Sequence, residues 1–192
     1  MPKARLIGLY SAAPASGKTT VAGYLAGHGF RIMPFAESLK RMASVFLTEL
    51  GLTDSMLEHH LFHAKESRIN AFGLNVTARH ICQTLGTEWG RNCIHPDVWL
   101  HCWRRKAQQN LDRGIDVVVD DMRFVNEAEL IRNLGGELWC IERPAVLCTT
   151  KHASEGSLDS YLFDRRIVND GGLLELYAQV KTRVNALDEV AA

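Results

Sequence analysis

The sequence predicts an α/β domain: a five-stranded parallel sheet flanked by helices on both faces. Three observations carry that reading. Short apolar runs of strand length alternate with helix-period stretches along the chain. The first of those runs leads through a short loop into Gly17-Lys18-Thr19 at the start of a helix. The acidic pair Asp120-Asp121 closes another apolar run, at the carboxyl end where open sheets of this kind collect functional groups.

The elements follow in order. Leu6, Ile7, Leu9 and Tyr10 give a first strand over 6–11, short and apolar enough to be buried. A helix begins at Ser16-Gly17-Lys18-Thr19, so backbone N–H groups of the loop and first turn converge on one concavity where the helix dipole favours negative charge. In such a loop Lys18 reaches the β- and γ-phosphates of a nucleoside triphosphate and the Thr19 hydroxyl holds Mg²⁺. Ala12 stands where the pattern G-x-x-x-x-G-K-[ST] has its first glycine, so a positive-φ turn there would be strained; Pro14 is expected to stiffen the loop instead.

Val21, Ala22, Tyr24 and Leu25 carry the first helix to Gly27-His28-Gly29, and a second strand is expected over 30–35. Ser38 is expected to cap a helix reaching Leu50, with Leu39, Met42, Ala43, Phe46 and Leu47 on one face. A short helix with His59, His60 and His63 follows. His59 and His63 lie one turn apart, but no further ligand cluster follows, so a solvated face is the reading rather than a metal site.

From Thr77 to Arg91, Ala78, Ile81, Cys82, Leu85 and Trp89 form an apolar helix face. At 3.6 residues per turn, Arg79, Gln83, Gly86 and Gly90 fall within about 60° of one another on the other side. Glycines on a solvated helix face cost roughly 1 kcal/mol each relative to Ala. They are therefore expected to leave a groove for something that approaches the backbone closely, flanked by Arg79 and Gln83 with Thr87 and Arg91 beside it.

A helix over 97–112 packs through Val98, Leu100, Trp103 and Ala107, and the strand 115–119 ends in Asp120-Asp121. A helix over 126–134 closes at Gly135-Gly136, and a strand over 137–141 ends at Arg143-Pro144. The polar connection that follows, with Lys151, His152 and Glu155, is long enough for a lid. Arg165-Arg166 lead into a strand at Ile167-Val168. Asn169-Asp170-Gly171 then cap a helix whose buried stripe is Leu173, Leu174, Leu176, Tyr177, Val180 and Val184.

Composition narrows the function. The 192 residues fit one domain with a small insertion, and Lys plus Arg equals Asp plus Glu at 22 each. That balance argues against a general polyanion-binding surface, so no nucleic-acid partner is expected. Five cysteines without C-x-x-C spacing, no signal-length apolar start and no membrane-length run predict reduced thiols in a soluble, cytoplasmic protein. A guanine-reading N-K-x-D is absent.

The ordered motifs resemble one family. They are Gly17-Lys18-Thr19-Thr20-Val21-Ala22; Phe35-Ala36-Glu37-Ser38-Leu39-Lys40; Thr77-Ala78-Arg79 with Gln83, Leu85-Gly86-Thr87-Glu88 and Gly90-Arg91; Asp121-Met122-Arg123-Phe124 with Asn126-Glu127-Ala128-Glu129; His152-Ala153-Ser154-Glu155; and Ile167-Val168-Asn169-Asp170. Together, from about Leu6 to Val180, they resemble the deoxynucleoside monophosphate kinases of phages. The resemblance implies a P-loop fold of the nucleoside monophosphate kinase type and transfer of the γ-phosphoryl group of ATP to a deoxynucleoside monophosphate, with Mg²⁺.

It implies a core over 1–50 and 112–192, a helical monophosphate-binding insertion over about 51–111, and a lid over about 144–162. ATP would be held by Ala13, Ala15, Ser16, Gly17, Lys18, Thr19 and Thr20. The monophosphate would be held by Lys40, Arg79, Gln83, Gly86, Thr87, Arg91, Asp121 and Arg123. Lys18, Arg143 and Asp121 are the catalytic candidates, and Lys151, His152, Glu155 and Arg165 the lid candidates. Thr19 and Asp120 are the metal ligands, the choice between Asp120 and Asp121 being open. Asp120 stands where relatives often have an uncharged residue. A homodimer is compatible with the sequence. The alternatives are a kinase of another small phosphorylated acceptor, such as dephospho-coenzyme A, and a non-catalytic nucleotide-binding module.

Overall fold

The computed structural model describes residues 4–13, 15–70, 73, 75–144 and 158–190, the side chains of 185–190 aside. In chain order the elements begin β1 (Leu6–Tyr10), α1 (Lys18–Ala26), β2 (Arg31–Ile32), α2 (Glu37–Glu49) and α3 (Asp54–Glu58), which widens into π-type turns at His59–His63. β3 (Arg68–Ile69), β4 (Val76–Thr77) and α4 (Ala78–Gln83) follow, the last continued as π-type turns over Thr84–Ile94. Then come α5 (Val98–Leu111), β5 (Val117–Val119), α6 (Val125–Asn133), β6 (Glu137–Glu142), β7 (Arg165–Val168) and α7 (Leu173–Val190). The chain forms two compact units, Met1–Phe35 with Arg104–Ala192, and Ala36–Trp103.

The first unit contains the expected five-stranded sheet, ordered β2-β5-β1-β6-β7 and parallel throughout. Its inner strands β5, β1 and β6 are apolar because both faces are covered, and β1 is buried at every position, whereas the edge strands β2 and β7 carry exposed residues. Ile7, Leu9, Val118, Trp139 and Ile167 pack with Val21, Ala22 and Leu25 of α1 and Leu176 and Val180 of α7. With β1 central, the carboxyl ends of β5, β1 and β6 lie side by side. The loop after β1, Asp120-Asp121 after β5 and Arg143 after β6 therefore share one edge of the sheet.

The second unit has its own core of Ala43, Leu47, Leu52, Leu57, Leu61, Ile69 and Ala78. It takes in α2 together with most of the expected insertion, while the later turns of α5 belong to the first unit. An antiparallel pair, β3 with β4, leads into α4, whose first turn is capped by the Thr77 hydroxyl accepting from His80 N at 3.0 Å.

Several local expectations are corrected. β2 spans two residues rather than six, although Met33 N still donates to Val118 O. Ala36, not Ser38, precedes α2. Met42 and Phe46 are exposed on α2, and Leu173 and Leu174 are 54% and 80% exposed at the start of α7, because each helix buries a narrower stripe than its apolar content suggests. Among the described residues no group of three or more His, Cys, Asp or Glu is arranged to hold a metal: His60 meets Ser67 Oγ and His63 pairs with Glu58. No described helix is long and apolar enough to cross a membrane.

Candidate active site

The phosphate loop is held by side chains from distant strands. Gly17 precedes α1 at φ 106°, a left-handed conformation that glycine takes without cost. The strain expected at Ala12 is not found; the positive φ falls instead at Ala15, at 52°. Arg143 Nη1 donates to Ala15 O at 3.0 Å, and Asn169 Nδ2 donates to Ser16 O at 2.8 Å. Ala15, Ser16, Gly17, Lys18, Thr19 and Thr20 line a cavity of about 380 Å³, walled further by Arg143, Asn169, Gly171, Leu173 and Leu176. Ala13 lies earlier in the loop and turns back on Ser11, whose Oγ accepts from Ala13 N. Pro14 lies outside the described residues.

Leu173 thus serves the cavity rather than the helix core, and Asn169 holds the loop rather than capping α7. Both were missed because their roles depend on contacts far along the chain. Periodicity and cap patterns register only near neighbours.

At the end of β5 the two aspartates differ. Asp121 Oδ1 accepts from Phe35 N at 2.8 Å, tying the end of the β2 segment to β5. Asp120 Oδ1 is buried with no hydrogen-bond partner among the described residues. A buried carboxylate oxygen left open is costly unless a ligand completes it, and carboxylate oxygen is the donor Mg²⁺ prefers. Asp120, and the Thr19 hydroxyl exposed in the first turn of α1, therefore each offer the kind of oxygen that Mg²⁺ would take. The cap of α6 is neither aspartate: buried Glu127 reaches back to accept from Arg123 N and Phe124 N at 2.7 and 3.1 Å. The Arg123 side chain itself is exposed.

Cys140, beneath the loop on β6, is pushed up to about 11, first by burial and then by the neighbouring Glu142 carboxylate. It therefore stays a neutral thiol at physiological pH, a much weaker nucleophile than the thiolate.

In the second unit the acceptor candidates lie on α2 and on α4 with its continuation. Arg79 pairs through Nε with Glu66, and its backbone N donates to Lys65 O at 3.1 Å. Lys40 Nζ lies 4.5 Å from the centre of the Phe62 ring. Gln83 and Thr87 are exposed and Arg91 half-buried. Burial raises the pKa of the Cys82 thiol, and the ammonium groups of Lys40 and Lys65 act against that shift, so positive charge gathers beside α4.

The groove expected over Gly86 and Gly90 is filled. Both glycines are buried, and a Cβ would come within 3.1 Å of Leu39 Cδ2 at Gly86 and 2.7 Å of the Trp99 ring at Gly90. Trp99 Nε1 donates to Gly86 O at 2.8 Å, so what approaches this backbone is the unit's own core. Trp99 and Trp103 are buried, whereas Trp89 is 42% exposed.

Of the lid candidates, Lys151, His152 and Glu155 lie outside the described residues. Arg165 begins β7, with its Nη2 3.6 Å from Glu137 and its Nε buried without a partner among the described residues.

Comparison with known proteins agrees with this geometry. The family model for deoxynucleotide monophosphate kinase matches residues 30–180. A protein of Acanthamoeba polyphaga mimivirus, provisionally named a deoxynucleotide monophosphate kinase, is 32% identical over 91% of this chain and 93% of its own. The deoxynucleotide monophosphate kinase of Escherichia phage RB69 is 29% identical over 66% of this chain, and that of Enterobacteria phage T4 is 27% identical over 58%. The matched stretches span 52% and 46% of those two phage proteins. In fold, the chain is similar to TT1252 from Thermus thermophilus, with a TM-score of 0.53 at 18% identity, covering 96% of this chain and 98% of that one. The chain belongs to the deoxynucleotide monophosphate kinase family and has its α/β P-loop fold.

Proposed function

We propose that this chain transfers the γ-phosphoryl group of ATP to a deoxynucleoside 5'-monophosphate, giving the deoxynucleoside diphosphate and ADP. The observation that carries the reading is the match to the kinase family over residues 30–180, on a chain whose Gly17-Lys18-Thr19 turn opens a helix at the sheet edge.

The acceptor phosphate is already an anion near neutral pH, so the reaction requires no strong general base. Its barrier is lowered by in-line positioning and by neutralising charge on the transferred group. Lys18 supplies a cation at the β- and γ-phosphates, and the N–H groups of the loop supply fixed dipoles that need no reorganisation. Mg²⁺, for which Thr19 and Asp120 are the fitting ligands, neutralises phosphate charge when bound. Leu173 and Leu176 give the cavity an apolar wall suited to a base, as far as a neutral adenine needs one.

Lys40, Arg79, Gln83, Thr87, Arg91 and Arg123 are the proposed monophosphate contacts, with arginine suited to paired phosphate oxygens. Gly86 contributes by letting Leu39 and Trp99 pack against α4's continuation. Asp121 acts by holding the β2 and β5 ends in register beside the loop. Arg143 steadies the loop by holding Ala15 O and is the proposed cation for neutralising charge on the transferred phosphoryl group. The segment over about 144–162, with Lys151, His152 and Glu155, and Arg165 beyond it are the proposed lid. The substrates are small molecules in the cytoplasm, in keeping with a neutral charge balance.

The test is ADP release with ATP and Mg²⁺ on addition of each of the four deoxynucleoside monophosphates or of dephospho-coenzyme A. Release is expected with one or more of the monophosphates. Release with dephospho-coenzyme A alone would overturn the reading.

A further inference from the structure

We propose that Asn169 is a positioning residue for the phosphate loop, fixing through the Ser16 carbonyl the direction in which the Gly17 N–H faces. The inference rests on the proposed ATP site and goes beyond it by assigning the group that sets its geometry.

Three features lead there. Asn169 Nδ2 donates to Ser16 O at 2.8 Å across 153 positions of sequence. In a planar trans peptide the carbonyl and the next N–H point in opposite directions, and no cis bond occurs among the described residues. Holding Ser16 O therefore holds Gly17 N–H. Arg143 does the same one peptide earlier by donating to Ala15 O. The segment so gripped holds the left-handed turns, a strained one at Ala15 with φ 52° and a glycine at position 17 with φ 106°.

Asn169 is itself immobilised. Its N donates to Glu142 O at 2.7 Å, extending the β6–β7 ladder, and Gln179 grips the preceding residue, accepting from Val168 N at 3.2 Å and donating to Val168 O at 2.8 Å. The amide also fills the space beside Gly17, where a Cβ would come within 2.7 Å of Nδ2. A glycine is thus required at position 17 by its neighbour as well as by its own φ.

Because Asn169 also lines the cavity, a base-reading role is the competing account. The experiment separates the two by comparing ATP with inorganic tripolyphosphate, which carries the phosphates and no base. Binding of each is measured with Mg²⁺ for the wild type, Asn169→Asp and Asn169→Ala, with thermal melts to confirm folding. Asn169→Asp keeps the shape but sets an acceptor against the Ser16 carbonyl. Both ligands are expected to weaken together, about tenfold for Asn169→Ala and more for Asn169→Asp. Loss of ATP affinity with tripolyphosphate binding unchanged, or no change for either ligand, would overturn the proposal. A wild type that binds neither ligand would overturn the ATP-site reading itself, a different failure.

Discussion

The two units hold their chemistry-bearing residues by different means. In the first, the contacts that fix the loop and the sheet edge join residues 128, 153 and 86 positions apart: Arg143 to Ala15, Asn169 to Ser16, and Phe35 to Asp121. Each is anchored at or just beyond the end of a strand of the parallel sheet. In the second, Arg79 is held by Glu66 and by the carbonyl of Lys65, and its pairing is half in solvent. An exposed ion pair of that kind contributes little to stability. The proposed donor residues are thus built into the sheet, while the proposed acceptor residue Arg79 rests on the short helix α4 and the two-residue β-pair before it. Substitutions on the first side should act on the chemistry or on folding outright, and those on the second should act on affinity.

The largest expected effect is that of Lys18→Ala. Turnover should fall on the order of 10³-fold with the melting temperature nearly unchanged, because a cation at the transferred phosphate is lost and no core contact is. A coupled assay for ADP beside a thermal melt checks both halves.

The aspartates sharpen the comparison within the first unit. Asp121→Ala leaves Phe35 N without its acceptor and should cost about 1–3 kcal/mol of stability. Asp120→Asn should leave stability unchanged or slightly raised while lowering kcat about 10²-fold and raising the Mg²⁺ concentration needed for half-maximal rate. Denaturant melts and Mg²⁺ titrations distinguish the two.

Across the units, Arg79→Ala should raise KM for the monophosphate about tenfold, with KM for ATP and the melting temperature little changed. Should KM for both substrates rise equally, the division of labour drawn here would be wrong.

The smallest effect is chemical. Exposed Cys93 and Cys102 should react with a thiol reagent at neutral pH before Cys140, which burial keeps protonated up to a pKa of about 11. Peptide mapping after partial labelling reads the order.

What was legible in the sequence follows the same division. The alternation of strands and helices, the Gly-Lys-Thr turn and the acidic pair were readable because each is a short run whose residue types dictate its conformation. The mid-chain helix was read wrongly at Gly86 and Gly90 for a definable reason. A period of 3.6 residues per turn places them outward, but from Thr84 onward the turns are π-type, and each later residue rotates less per step. That brings both glycines inward against Leu39 and Trp99. At the loop, a missing first glycine suggested strain at Ala12, whereas the left-handed turns fall at Ala15 and Gly17, where long-range donors hold them. Asn169 was invisible for the same reason: its partner lies at the other end of the chain.

The central claim is that one chain carries both a triphosphate-gripping loop and a site for a monophosphate acceptor. It is tested most directly by incubating the protein with ATP, Mg²⁺ and each deoxynucleoside monophosphate and separating the nucleotides by chromatography. The account predicts deoxynucleoside diphosphate formed in equal amount with ADP, and neither formed by Lys18→Ala. ADP appearing without any diphosphate product, or diphosphate formed undiminished by Lys18→Ala, would contradict it.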